Sequence, residues 1–120
     1  MSSILTDVKH KIGPSEEYDY YDLDIINAIN EAFAVLNQLG AGPKEGFAIE
    51  SADTEWGEYT TDITLLGFVQ TYVYKKVQLI FDPPNNSSHQ SAIEQQIDEM
   101  EWRINMQVEH GGNQPRRTMK

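Results

Sequence analysis

From Thr60 to Phe81 the chain is apolar on almost every side. At about 100° per residue, Leu65, Val69, Tyr72 and Leu79 fall on one face of a helix, and Ile63, Tyr74, Val77 and Phe81 fall roughly opposite. A helix apolar all round is normally enclosed by protein or lipid. Asp62, Gln70, Lys75, Lys76 and Gln78 interrupt the run, whereas a membrane span needs about 20 apolar residues. The pattern therefore predicts a central helix over 60–81, covered on one side by its own domain and open to a neighbouring subunit on the other. Asp82-Pro83-Pro84-Asn85-Asn86 ends it, because proline lacks the amide donor and drives the preceding residue out of the α region. A second helix, over 88–109, restarts at Ser88 or Ser91, and Ser91-Ala92-Ile93-Glu94 fits a capping box. Ile93, Ile97, Met100, Ile104 and Val108 follow at spacings of four, three, four and four, one face that packs on the central helix as an antiparallel hairpin.

Trp102 and Met106 depart from that face. Trp102 lies about half a turn from Ile93, among Gln95, Asp98 and Glu99 on the polar side. Two readings stay open: a second internal contact, covering the first helix or a loop, or a contact with another chain, since aromatics and Met are enriched at interfaces. Glu99 and Arg103 form an (i, i+4) pair in the favourable order, worth about 0.3–0.5 kcal/mol.

The N-terminal half carries two more one-sided patterns. Ser2 or Ser3 caps a helix over 3–12, in which Ile4 or Leu5, then Val8 and Ile12, form a stripe and Lys9, His10 and Lys11 occupy the last turn, where cations suit the dipole. Gly13-Pro14 ends it. Asp22 is placed to cap a helix over 22–39 with Ile26, Ile29, Phe33 and Leu36 inward, Asn27, Asn30 and Asn37 facing water or a partner, and Gly40 as terminator. Residues 40–59 are irregular, punctuated by Gly40, Gly42, Pro43 and Gly46, with a short extended segment at Phe47–Ser51 and Trp56 as a lid on the core. The expected architecture is all-α, a small bundle of about four helices with one irregular loop, over 1–110. The segment 111–120 reads as a flexible linker, Gly111-Gly112-Asn113-Gln114-Pro115, followed by a basic end with Arg116, Arg117 and Lys120 and no acid.

Composition narrows the function classes. There is no cysteine, which excludes disulfides and thiol catalysis. Residues 1–13 lack the continuous apolar stretch of a signal peptide, so a cytosolic origin is expected. The net charge is −10, and between Pro14 and Asp62 stand twelve acids against one base, Lys44. Such a surface repels a phosphate backbone. It is read as solubility, or alternatively as a DNA mimic or a wall past which DNA slides. Asp19, Asp22 and Asp24 have the wrong spacing for an EF-hand and lack its glycine. His10, His89 and His110 stand far apart without a partnering motif, and Gly40-Ala41-Gly42-Pro43 is no phosphate loop. No catalytic, cofactor or metal site is expected, so the chain reads as a structural or binding protein.

Several stretches together resemble the head–tail connector (adaptor) proteins of tailed bacteriophages. They are Phe81-Asp82-Pro83-Pro84 after a Tyr/Val-rich helix, Glu99-Met100-Glu101-Trp102-Arg103-Ile104, Ile26-Asn27-Ala28-Ile29-Asn30, Leu36-Asn37-Gln38-Leu39-Gly40, Phe47-Ala48-Ile49 and Trp56. The resemblance spans about residues 4 to 108. It implies a non-enzymatic helical subunit of the virion, assembled in the host cytoplasm. Copies would self-associate into a ring, twelvefold by resemblance, beneath the portal protein. The ring would join portal to a head-completion or tail-completion protein, with DNA passing through unspecifically and no membrane involved. The candidate interface residues are Trp102, Met106, Tyr74, Trp56, Arg116 and Arg117. The competing reading is a monomeric acidic binder, a DNA-mimic-type inhibitor of a host protein.

Overall fold

The computed structural model describes residues 2–12, 21–81 and 83–110. Among them are four helices: α1 (Ile4–Ile12), α2 (Asp22–Gln38), α3 (Ile63–Phe81) and α4 (Ser87–His110). No strand forms among the described residues. The segment 47–51 does not pair, and a single antiparallel bridge joins Ser3 to Glu55. α3 is the hub, packed against α4, α2 and α1.

The helices form where their apolar positions repeat, but their ends are set by particular side chains. Ser3 caps α1, accepting from the Thr6 amide at 3.2 Å. Asp62 caps α3 through Leu65, so the helix starts later than Thr60. Asn86, rather than Ser88 or Ser91, caps α4, accepting from the His89 amide at 2.8 Å. Gly40, at φ +90°, closes α2 in the left-handed region that glycine tolerates. Asp22 does not act as the cap of α2. It occupies the first turn, and its carboxylate meets the Lys9 ammonium at 2.7 Å. Lys9 thus stands in the last turn of α1, as expected, and is also buried against the next helix.

The core takes Ile4, Leu5, Val8 and Ile12 from α1, Ile26, Ile29, Phe33 and Leu36 from α2, and Ile93, Ile97 and Ile104 from α4. α3 supplies Leu65, Leu66, Val69, Tyr72, Val73 and Val77. Its enclosure is one-sided. Val77, expected opposite the core face, is buried, whereas Ile63 and Ile80 are exposed and Phe68, Tyr74, Leu79 and Phe81 are half-buried.

The irregular segment 40–59 is pinned by polar and aromatic contacts. The Asn30 side chain donates to the Ile49 carbonyl at 3.0 Å and accepts from the Ile49 amide at 2.8 Å. Of the three asparagines, Asn27 and Asn37 are exposed, while Asn30 is a two-bond clamp. Phe33, Phe47 and Tyr59 stack around one point with centroids 5.0–5.1 Å apart. Gly42 lies against the Tyr59 ring, where a Cβ would come within 2.5 Å. Asn30→Ala strands both polar groups of Ile49 and is expected to cost about 2 kcal/mol, measurable by urea denaturation. A loss no larger than that of Asn37→Ala would show that the clamp contributes nothing.

Three tyrosines tie this core to pH. Burial pushes the Tyr59 and Tyr72 phenols well above their ordinary range, the hydrogen bond to Glu101 adding to the effect at Tyr72. Burial, then the Asp7 charge, pushes Tyr74 up to about 12. All three shifts favour the neutral, folded form. Their stabilisation is complete below the unfolded tyrosine value of about 10 and is lost as pH rises beyond it. Thermal stability is therefore expected to fall steeply above about pH 10, tracked by calorimetry alongside tyrosinate absorbance.

Candidate subunit interface

Polar contacts on its inner side fix the rotation of α4. Tyr72 donates to Glu101 at 2.9 Å, Asn105 donates to the Leu39 carbonyl at 3.3 Å, and Gln107 donates to Asp62 at 3.3 Å. With Ile97 and Ile104 also inward, residue 102 is left on the outer face. Trp102 is accordingly 62 % exposed. The indole is therefore not enclosed by the described residues.

Trp102 borders an open groove of about 220 Å³ between α3 and α4, lined with Phe68, Arg103, Met106 and Gln107. Small-molecule sites usually occupy about 300–1,000 Å³ and are more enclosed. This groove suits one or two side chains of a protein partner. Arg103 forms its expected pair with Glu99 at 2.7 Å, which holds the guanidinium along the rim. An exposed indole beside a methionine and a phenylalanine is the composition of an interface centre.

The other candidates lie elsewhere. Trp56 is 0 % exposed, enclosed by Phe33 and Tyr74, and its indole N–H donates to Asp7 at 2.9 Å. A side chain with no free surface offers a partner nothing to touch, so Trp56 is a core residue, in keeping with its reading as a lid. Tyr74 does not line the groove. It stands edge-on to Trp56, with the Lys11 ammonium 5.6 Å above its ring. Arg116 and Arg117 lie outside the described residues, as does Asp19. Phe68 is the groove residue that periodicity missed: it sits among the apolar positions of α3 and carries no mark distinguishing it from core.

Two further surfaces are notable. The acids Asp24 and Glu31 of α2, and Glu45, Glu50, Asp53, Glu55 and Glu58 of the following segment, are all exposed. Leu23, Ile63 and Ile80 are exposed apolar residues outside the groove. Among the described residues no group of three or more His, Asp or Glu is placed to hold a metal, and no helix is long and apolar enough to cross a membrane.

No curated protein and no solved structure gave a significant match to the chain. A family model described as phage connector protein matches residues 4–111, nearly the whole length and all four helices. The chain thus belongs to the phage connector protein family, which gives it a structural role at the head–tail junction of the virion.

Proposed function

We propose that copies of this chain close into a ring, twelvefold as the resemblance implies, that docks beneath the portal protein. The ring joins the DNA-filled head to a head-completion or tail-completion protein, and DNA passes through its centre without specific binding. Assembly takes place in the host cytoplasm. The observation that carries this reading is the Phe68–Trp102–Met106 groove, left open on the outside of the α3–α4 hairpin. A contact between unlike surfaces of identical subunits closes into a ring when its rotation allows. The exposed acids of α2 and the 45–58 segment suit a conduit wall, since like charge keeps a phosphate backbone from sticking. A DNA mimic would instead need carboxylates in ordered rows on one rigid face, and most of these acids sit on irregular chain.

Purified chain is expected to bind capsids that carry portal and to ignore capsids that lack it. Equal binding to both, or to neither, overturns the assignment. We further propose that the basic segment 111–120 contributes to the portal contact through Arg116 and Arg117. Its deletion is then expected to weaken portal binding, and full-strength binding by the truncated chain would remove that part of the model.

A further inference from the structure

We infer that the groove receives the outer face of α2 from a second copy, with Leu23 seated beside Trp102 and Glu31 paired with Lys75. The inference rests on the ring reading and names the two halves of its joint. On the receiving side, Phe68, Thr71 and Lys75 follow at spacings of three and four, so they share one side of α3. The groove therefore continues to a cation two turns beyond Phe68. Lys9 and Arg103 are paired with acids, and Lys11 and Lys76 lie over tyrosine rings, but Lys75 has no such partner among the described residues. α3 itself carries no acid. At Gly67, next to Phe68, an added Cβ would meet nothing within 4 Å, which leaves room for a second backbone to come close.

On the entering side, Leu23, Asn27 and Glu31 follow at spacings of four along α2, and all three are exposed. Leu23 is 76 % exposed, an apolar side chain left in water at the end of a polar row. Glu31 is held in no ion pair among the described residues. Leu23 and Glu31 are eight residues apart, about 12 Å along a helix, and Phe68 and Lys75 are seven apart, about 11 Å. Laid parallel to α3, the α2 of the next copy brings its leucine to the groove and its carboxylate to the ammonium in one register. Ile63 and Ile80 are also exposed, but they stand on the acid-free α3 and bring nothing to meet Lys75. The two halves belong to different helices, so one copy offers both at once, as head-to-tail closure requires. Glu31 then serves the joint, while Asp24 and the acids of the 45–58 segment remain for the channel wall.

The test is cross-linking of the full-length chain on portal-bearing capsids. The chain has no cysteine, so Asn27→Cys and Thr71→Cys, at the middle of the two rows, introduce unique thiols outside the core. With a short bis-maleimide, the double variant is expected to give a ladder of dimers and higher species on a denaturing gel. A mixture of the two single variants should stop at dimers, and each single variant alone should stay monomeric. Dimers from Thr71→Cys alone would set groove against groove and overturn the inference, as would a double variant that gives no ladder. In a second arm, Lys75→Glu and Glu31→Lys are each expected to weaken assembly about tenfold, and the two together to recover most of the loss. Absence of recovery overturns the register. Capsid binding by the parent chain is scored separately: no ladder with intact portal discrimination sinks the joint alone, whereas lost portal discrimination sinks the connector reading.

Discussion

Trp56→Ala is expected to lower the stability of the isolated subunit by about 4 kcal/mol, the usual cost of deleting a fully buried large aromatic. For a domain of this size that corresponds to a fall in Tm of about 15 °C, and it consumes a large part of the total stability. The indole does three things at once. It fills the space between Phe33 and Tyr74. It donates to the half-buried Asp7 carboxylate, which also accepts from the Ser2 hydroxyl. Its backbone amide bonds to the Ser2 carbonyl at 3.1 Å, beside the bond from the Ile4 amide to Thr54, so the 40–59 segment is fastened to the start of α1 at the same place. Trp56→Phe separates these effects, keeping most of the volume and losing the N–H, and should cost about 1–2 kcal/mol. Calorimetry checks both. A shift of only a few degrees in Trp56→Ala would show that the segment is held by the Asn30 clamp and the Phe47–Tyr59 contacts instead.

The contrast between Asn30 and Trp56 shows what periodicity can convey. An indole in a glycine-punctuated stretch announces burial through its size, whatever path the chain takes. Asn30 looks like Asn27 and Asn37 in sequence, and only the return of Ile49 past α2 singles it out. The same logic governs the helix ends. Asn85-Asn86-Ser87-Ser88 presents four residues of similar capping chemistry, and the turn after Pro83-Pro84 chooses among them. Asp22 has the composition of a cap, but a lysine from another helix claims its carboxylate. The apolar faces of α1, α2 and α4 were legible because each buries a single stripe, packed chiefly on α3. α3 was legible only in part: it meets three helices, so its buried arc is wide enough to take in Val77, and its exposed large apolar residues, Ile63 and Ile80, fall towards the two ends.

Trp102→Ala is expected to leave the subunit's Tm within about 2 °C of the parent and to weaken assembly on portal-bearing capsids by about 30-fold or more. The first half follows from exposure: a side chain largely in water loses little when truncated, typically less than about 0.5 kcal/mol. The second half follows from position. The indole lines the groove together with Phe68, Arg103, Met106 and Gln107. A tryptophan that anchors an interface carries about 2 kcal/mol or more of binding energy, which is the stated factor. In a closed ring the deficit recurs at every joint, so the assembly midpoint should move further than a single contact would imply. Met106→Ala, at the half-buried flank of the groove, should fall between the parent and Trp102→Ala in binding. Thermal melts of the free chain and sedimentation with capsids give the two readouts. A Trp102→Ala variant that melts early yet binds capsids normally would place the indole in the fold of the subunit and leave the groove without a role in assembly.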